Sequence, residues 1–163
     1  MRGRVWLFGN NISTDAIIPG RFMDKVGVIP DDQWGEYCFV DHEPRFAREV
    51  KAGDFVIAGK NFGTGSSREV APLAIKKAGI ACIIAQSYAR IFYRNCINLG
   101  LPAVTAGADL INLVNTYDYI NVDLDKGIIK IEDTNAEIKI TPLPPFAKDI
   151  IDSGGLLEYA LKK

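Results

Sequence analysis

An α/β domain built on a mostly parallel sheet is what this sequence predicts, and three features predict it. Short apolar runs recur along the chain, a helix-like run follows several of them, and glycine closes those helical runs. Strands that alternate with helices pair in parallel, because the helix carries the chain back across the sheet. In order, Arg4–Phe8 reads as a strand and Asn10–Asp15 as a polar turn. From Pro19 to Asp41 no period is clear, and this is the longest irregular stretch. Arg45–Val50 is a short helical piece, and Lys51-Ala-Gly-Asp54 is a turn. Phe55–Ala58 is a strand, Ser67–Ala78 a helix stopped by Gly79, and Ile80–Ala85 a second apolar strand. Tyr88–Leu99 is a helix stopped by Gly100, and Ala103–Thr105 a short strand. Val122–Ile131 is a hairpin turning on Asp125-Lys126-Gly127, with a further strand at Glu137–Ile140. Pro144–Ser153 is a helix closed by Gly154-Gly155, and Leu156–Leu161 a last helical turn.

The whole of 1–163 is expected to be one domain. At 163 residues, 48% hydrophobic and 24% charged, the chain suits a single core of ordinary size. Repeats and low-complexity tracts are absent. A net charge of −1 with scattered basic residues leaves no electrostatic footprint for nucleic acid. No apolar run approaches the ~20 residues that span a bilayer. The apolar part of Met1–Gly9 is too short for a signal-peptide core, so a cytoplasmic protein is expected.

The chemistry-bearing stretch is Gly59-Lys-Asn-Phe-Gly-Thr-Gly-Ser-Ser-Arg-Glu69, between the Phe55–Ala58 strand and the helical run from Val70. It would present Ser66, Ser67 and Arg68 at a helix N-terminus fed by a glycine loop. Backbone N–H groups and the helix dipole favour anions at such a position. An arginine there can grip a carboxylate with two hydrogen bonds. The plainer alternative is an ordinary loop with a serine cap.

Three familiar motifs do not fit. A phosphate-binding P-loop needs Gly-Lys-Ser/Thr, but Gly65 is followed by Ser66 and Ser67. The dinucleotide fingerprint needs glycine where Arg68 stands. The hydrolase elbow needs glycine where Glu69 stands, and the one histidine, His42, sits in a polar turn. A serine–arginine anion site for a small carboxylate is left.

The three cysteines, Cys38, Cys82 and Cys96, form no Cys-x-x-Cys pair. Cys82 falls in an apolar strand, where a thiol behaves as a small hydrophobe, and an iron–sulfur cluster needs converging thiolates. No metal is therefore expected on this chain.

Asn61-Phe-Gly-Thr-Gly-Ser-Ser-Arg-Glu69 resembles the signature of the swivelling β/β/α domain of the aconitase superfamily. In detail it is similar to the free-standing small subunits of 3-isopropylmalate dehydratase and of homoaconitase. Further segments agree in order: Phe8–Gly20 with its Thr14-Asp15 turn, Asp54–Lys60, Ile84–Pro102 and Ser153–Tyr159. The resemblance covers nearly the whole chain. It implies a hydro-lyase, active only with a large subunit that carries a 4Fe–4S cluster. Ser66 matches the serine whose alkoxide removes a proton from the carbon beside a carboxylate. Ser67 matches a serine that positions the substrate, and Arg68 the arginine that binds a substrate carboxylate. Thr14 and Asp15 match a turn near the active site, as substrate-binding candidates or as a turn with its cap. Arg90 and Arg94 share a helical face and read as a solvated or interface stripe.

The loop after Ile17-Ile18-Pro19 sets substrate choice in the resembled family. Here it runs Arg21-Phe22-Met23-Asp24-Lys25-Val26, a mixture of bacterial and archaeal patterns with no arginine between Val26 and Trp34. An alkyl-substituted malate, 3-isopropylmalate first, is the expected substrate. Homoaconitase and dehydratases of methyl- or dimethylmalate remain alternatives within the family. A non-catalytic carboxylate-binding regulatory domain is the alternative outside it.

Overall fold

A computed structural model describes residues 1–162. Its strands are β1 (Arg2–Leu7), β2 (Phe55–Ala58), β3 (Cys82–Ala85), β4 (Ala103–Ala106), β5 (Tyr119–Asp123), β6 (Ile128–Ile131) and β7 (Glu137–Thr141). Its helices are α1 (Thr14–Ile17), α2 (Arg45–Glu49), α3 (Val70–Lys77), α4 (Arg90–Asn98), α5 (Leu110–Leu113), α6 (Pro145–Asp152) and α7 (Leu156–Leu161). The strands close into a barrel in the order β1-β2-β3-β4-β7-β6-β5. β1 through β4 pair in parallel, as the strand–helix alternation predicts, and β5, β6 and β7 add an antiparallel meander that closes the ring onto β1 and β4.

Closure explains why the strand at Phe55–Ala58 is apolar throughout. Phe55 and Ile57 point into the barrel with Val5, Ile84, Ile120 and Ile129. Val56 and Ala58 point outward into a second core with Trp6, Phe8, Trp34 and Ile75. A strand buried on both faces has no polar face to show. A small third cluster, Ile97, Ala147 and Ile150, fastens α6 to α4.

One expectation is corrected. The expected helix Ser67–Ala78 begins only at Val70, so Ser66, Ser67 and Arg68 stand in a loop ahead of it. The reason is local: the Arg68 N–H turns back to the Ser66 carbonyl, and the Arg68 carbonyl is free to receive the Ala71 N–H. The irregular stretch from Pro19 to Asp41 holds 3-10 turns at Gly20–Lys25 and Asp31–Tyr37, whose Trp34 and Gly35 press into the core against α3.

Asp54 ties β1 to β2. Its carboxylate accepts hydrogen bonds from Arg4 Nη2 at 2.9 Å, Trp6 Nε1 at 3.0 Å and the Lys51 N–H at 2.9 Å. Burial pushes this carboxyl up, but the bonds from Arg4, Lys51 and Trp6 prevail and hold it below the usual carboxylate range. Removing one partner of a buried pair leaves the other charge uncompensated, at a cost of about 3–5 kcal/mol. Asp54→Ala is expected to destabilise the chain on that scale, read as a lower urea midpoint. A depressed carboxyl contributes stability that is complete above the unfolded pKa and fades as pH falls through the lower folded value. The gap between wild type and Asp54→Ala should therefore narrow in acid; a gap independent of pH would show that charge is not its source.

Candidate functional site

Beyond their strands, β1 and β2 keep travelling together, and this builds the site. The Gly59 N–H donates to the Gly9 carbonyl at 3.1 Å, Asn11 N–H to Lys60 O at 2.8 Å, Gly63 N–H to Ile12 O at 2.7 Å, and Thr14 N–H to Thr64 O at 2.8 Å. Asn11 and Asn61 both take left-handed backbone, with φ of 57° and 56°, and Asn61 Nδ2 donates to Asn11 Oδ1 at 3.0 Å. Asparagine tolerates that conformation better than other non-glycine residues, which is why the two chains can kink together.

The opposite side of the loop is held by the β3–α4 connection. Phe62 N–H donates to Ser87 O at 3.0 Å, and Ala89 N–H to Phe62 O at 2.9 Å. Gly63 has φ +85°, and a Cβ there would lie 2.1 Å from Cγ of Phe92. Only glycine lets the loop lie flat on α4. Gly65, at φ +95°, then turns the chain so that Ser66 and Ser67 face solvent.

A cleft of about 270 Å³ results, lined by Thr14, Gly65, Ser66, Ser67 and Arg68 on one side and Ala89–Phe92 and Asn95 on the other. Ser66 is anchored by its carbonyl, which accepts from Thr14 Oγ1 at 2.8 Å; among the described residues its hydroxyl has no hydrogen-bond partner. That hydroxyl is free to meet a ligand. Arg68 Nη1 donates to Asp15 Oδ1 at 3.0 Å and to Ile18 O at 3.1 Å. Asp15 Oδ1 also accepts the Gly20 N–H at 2.8 Å. The Arg68 hydrogen bond, and then that from Gly20, hold the Asp15 carboxyl below its ordinary range.

The helix end that opens onto this cleft is the N-terminus of α4, whose Ala89 cap position makes no side-chain hydrogen bond. The first N–H groups of a helix lack intrahelical partners and favour an anion. The sequence places an anion-favouring helix end directly after Arg68; α3 does start at Val70 with no side-chain cap, and the end of α4 adds a second one on the cleft wall. Arg90, at that end, and Arg94 are exposed and form no ion pair among the described residues. Arg90, read from the sequence as part of a solvated or interface stripe, lines the cleft; Ala89, Ile91, Phe92 and Asn95 were not singled out, although they lie within Ile84–Pro102, one of the segments that carry the resemblance.

The structure brings Thr14, Asp15, Ser66, Ser67 and Arg68 together and leaves Arg21–Val26 off the cleft lining. Arg21 is paired with both carboxylate oxygens of Asp41, and its guanidinium lies 4.6 Å from the Phe22 ring centre. Phe22 packs edge-on to Tyr37 at 4.9 Å, and Met23 packs on the core. Asp24, Lys25 and Val26 face outward, with Val26 54% and Val28 71% exposed. The loop nevertheless starts at the site, since Gly20 is held by Asp15 and sits beside Arg68 Nη2.

Among the described residues no group of histidine, cysteine or acidic side chains is disposed to hold a metal ion. Cys38, Cys82 and Cys96 are all buried free thiols, and burial pushes each up, away from the thiolate form that ligates iron. This donor set does not suit a cluster. His42 lies against Phe8, away from Ser66. A larger cleft of about 500 Å³, near Met1 and Lys148, carries none of the serine–arginine chemistry. No helix among the described residues is long and apolar enough to cross a membrane.

Residues 24–107 match the model of the aconitase C-terminal domain family. The 3-isopropylmalate dehydratase small subunit of Halothermothrix orenii is 48% identical over 97% of this chain and 93% of its own length. The isopropylmalate/citramalate isomerase small subunit of Methanocaldococcus jannaschii is 46% identical over 100% of this chain and 95% of its own. A crystal structure of 3-isopropylmalate dehydratase from Methanocaldococcus jannaschii superposes with a TM-score of 0.90 at 40% identity, covering 99% of this chain and 93% of that one.

Proposed function

The chain belongs to the aconitase C-terminal domain family, among the small subunits of 3-isopropylmalate dehydratase, and from that premise we propose that it is the small subunit of a hydro-lyase acting on a substituted malate, 3-isopropylmalate first. Leucine biosynthesis in the cytoplasm is the setting that follows. Residues 1–163 serve as one swivelling unit set against a large subunit.

Ser66 is assigned as the base, Arg68 as the carboxylate clamp, and Ser67, Thr14 and Asp15 as groups that organise the substrate end of the cleft. The observation that carries this reading is the unbonded Ser66 hydroxyl, fixed from behind through its carbonyl and set beside Arg68 and an uncapped helix end. A proton beside a carboxylate is weakly acidic, so its acceptor must be a strong base in a site with little water. Ser66 is exposed in this chain alone, so the large subunit has to cover the cleft before the alkoxide can form and act. Once the carbon gives its proton to Ser66 Oγ, the electron pair left behind forms the double bond as hydroxide departs from the neighbouring carbon. The 4Fe–4S cluster of the large subunit would supply the Lewis acid for that departure.

The test is to assemble the chain with a cluster-bearing large subunit under anaerobic conditions and assay substituted malates. Turnover of 3-isopropylmalate is expected; a stable complex inactive on every malate would overturn the reading. Citramalate belongs in the panel because a relative 46% identical carries it in its name. Apolar pockets discriminate by only ~1–3 kcal/mol per methylene, so some turnover of methyl-substituted malates is expected.

The loop supports an alkyl group over an additional carboxylate. Arg21 is already committed to Asp41, while Val26 offers exposed apolar surface. Replacing Arg21–Val28 with a homoaconitase-type loop is expected to move the ratio of kcat/KM toward tricarboxylates. An unchanged ratio would assign substrate choice to the large subunit.

A further inference from the structure

We propose that Thr14 is a positioning residue for the base and makes no contact with substrate through its hydroxyl. This rests on the assignment of Ser66 as the base. Thr14 is a polar residue at the edge of the cleft, yet it is only 3% exposed. Both of its donors point into the protein. The N–H donates to Thr64 O and the Oγ1–H to Ser66 O, each at 2.8 Å. A hydroxyl has one proton to donate, and here Ser66 takes it.

The two bonds bracket Gly65. Thr64 and Ser66 are pinned from below, and between them stands a glycine at φ +95°, the most permissive backbone in the loop. Without the Thr14 bond the Ser66 carbonyl keeps only the Arg68 N–H, a bond within the loop itself, so Thr14 is its one hydrogen bond from outside the loop among the described residues; the next fixed point is Arg68, held by Asp15 and Ile18. Ser13 prepares the arrangement, since its Oγ accepts the Ala16 N–H and starts α1 at Thr14. The sequence Ser13-Thr14-Asp15 is thus a strap laid under the loop. Its serine starts a helix, its threonine holds the base, and its aspartate holds the clamp.

Thr14→Val keeps the shape and removes the donor, and Thr14→Ser keeps the donor with less bulk. Both are measured in the assembled, cluster-loaded complex on 3-isopropylmalate, together with Kd for a competitive malate analogue and with Ser66→Ala in parallel. A displacement near 1 Å can cost about a hundredfold in rate. Thr14→Val is therefore expected to lower kcat roughly tenfold to a hundredfold, with the analogue Kd within about threefold of wild type, and Thr14→Ser to recover most of the loss. Wild-type kcat in Thr14→Val overturns the proposal. So does weakened analogue binding at unchanged kcat, which would make Thr14 a ligand. Equal loss in Thr14→Ser also overturns it, by tracing the effect to packing. Full activity in Ser66→Ala removes the underlying base assignment and the proposal with it, an outcome separate from any result at position 14.

Discussion

Ser66→Ala is expected to abolish turnover in the assembled enzyme while leaving folding and subunit association intact. A positioned general base contributes on the order of a hundredfold to ten-thousandfold in rate. The substitution deletes only a hydroxyl that has no partner among the described residues, and the carbonyl that fixes the loop stays where Thr14 holds it. Ser66 is also exposed, so no core packing is lost. The stability of the chain and its affinity for the large subunit should therefore match wild type, and the whole effect should fall on kcat. This variant also separates the enzyme from a regulatory carboxylate binder. A binder needs Arg68 to hold its ligand, whereas Ser66 would be dispensable to it. Near-normal kcat in Ser66→Ala would place the base elsewhere in the complex.

The parallel half of the fold was legible because burial on two faces leaves a plain record. Phe55–Ala58 is apolar at every position, and it is a strand with those bounds. The hairpin at Asp125-Lys126-Gly127 was equally plain, since the turn needs left-handed backbone and Gly127 has φ +69°. Closure of the barrel was not written locally. It depends on β7 meeting β4, and on β5 meeting β1, across more than a hundred residues in the second case. Short-range periodicity carries no information about such pairings.

The site divides in the same way. Ser66, Ser67 and Arg68 were visible because serine and arginine together exceed what a loop requires. The start of the following helix was misjudged by three positions, Val70 in place of Ser67, because Arg68 spends its side chain on Asp15 and Ile18, and its N–H on Ser66. Asp15 and Ile18 are remote from Arg68 in sequence. The role of the α4 N-terminus was hidden for the same reason: the Phe62 bonds to Ser87 and Ala89 and the close approach of Gly63 to Phe92 bring that helix end to the serines. Phe22 and Met23, in the loop expected to set substrate choice, are partly buried against Tyr37 and the core, contacts that local sequence does not reveal.

Arg68→Lys keeps the charge and should nevertheless lower kcat/KM by more than tenfold in the assembled enzyme. The guanidinium is 18% exposed, and its Nη1 is already occupied by Asp15 and Ile18. Its remaining N–H groups lie on other nitrogens of the same plane, so it can hold Asp15 with one edge and offer another to a carboxylate. A lysine has one nitrogen. To bind a substrate carboxylate it would have to bring that anion against Asp15, an aspartate that is ionised at neutral pH. The substrate would then meet repulsion where the arginine gives two-point attachment. Hydrogen bonds to charged groups contribute about 1.5–3 kcal/mol each, roughly tenfold to more than a hundredfold. The loss should appear in kcat as well as KM, because a malate held at one point can swing its proton away from Ser66. Melting temperature and subunit affinity should be unchanged, since a lysine still pairs with Asp15. A fall of less than about threefold would reduce Arg68 to a diffuse electrostatic role. The clamp would then have to be sought at Arg90, the exposed arginine on the far wall of the same cleft.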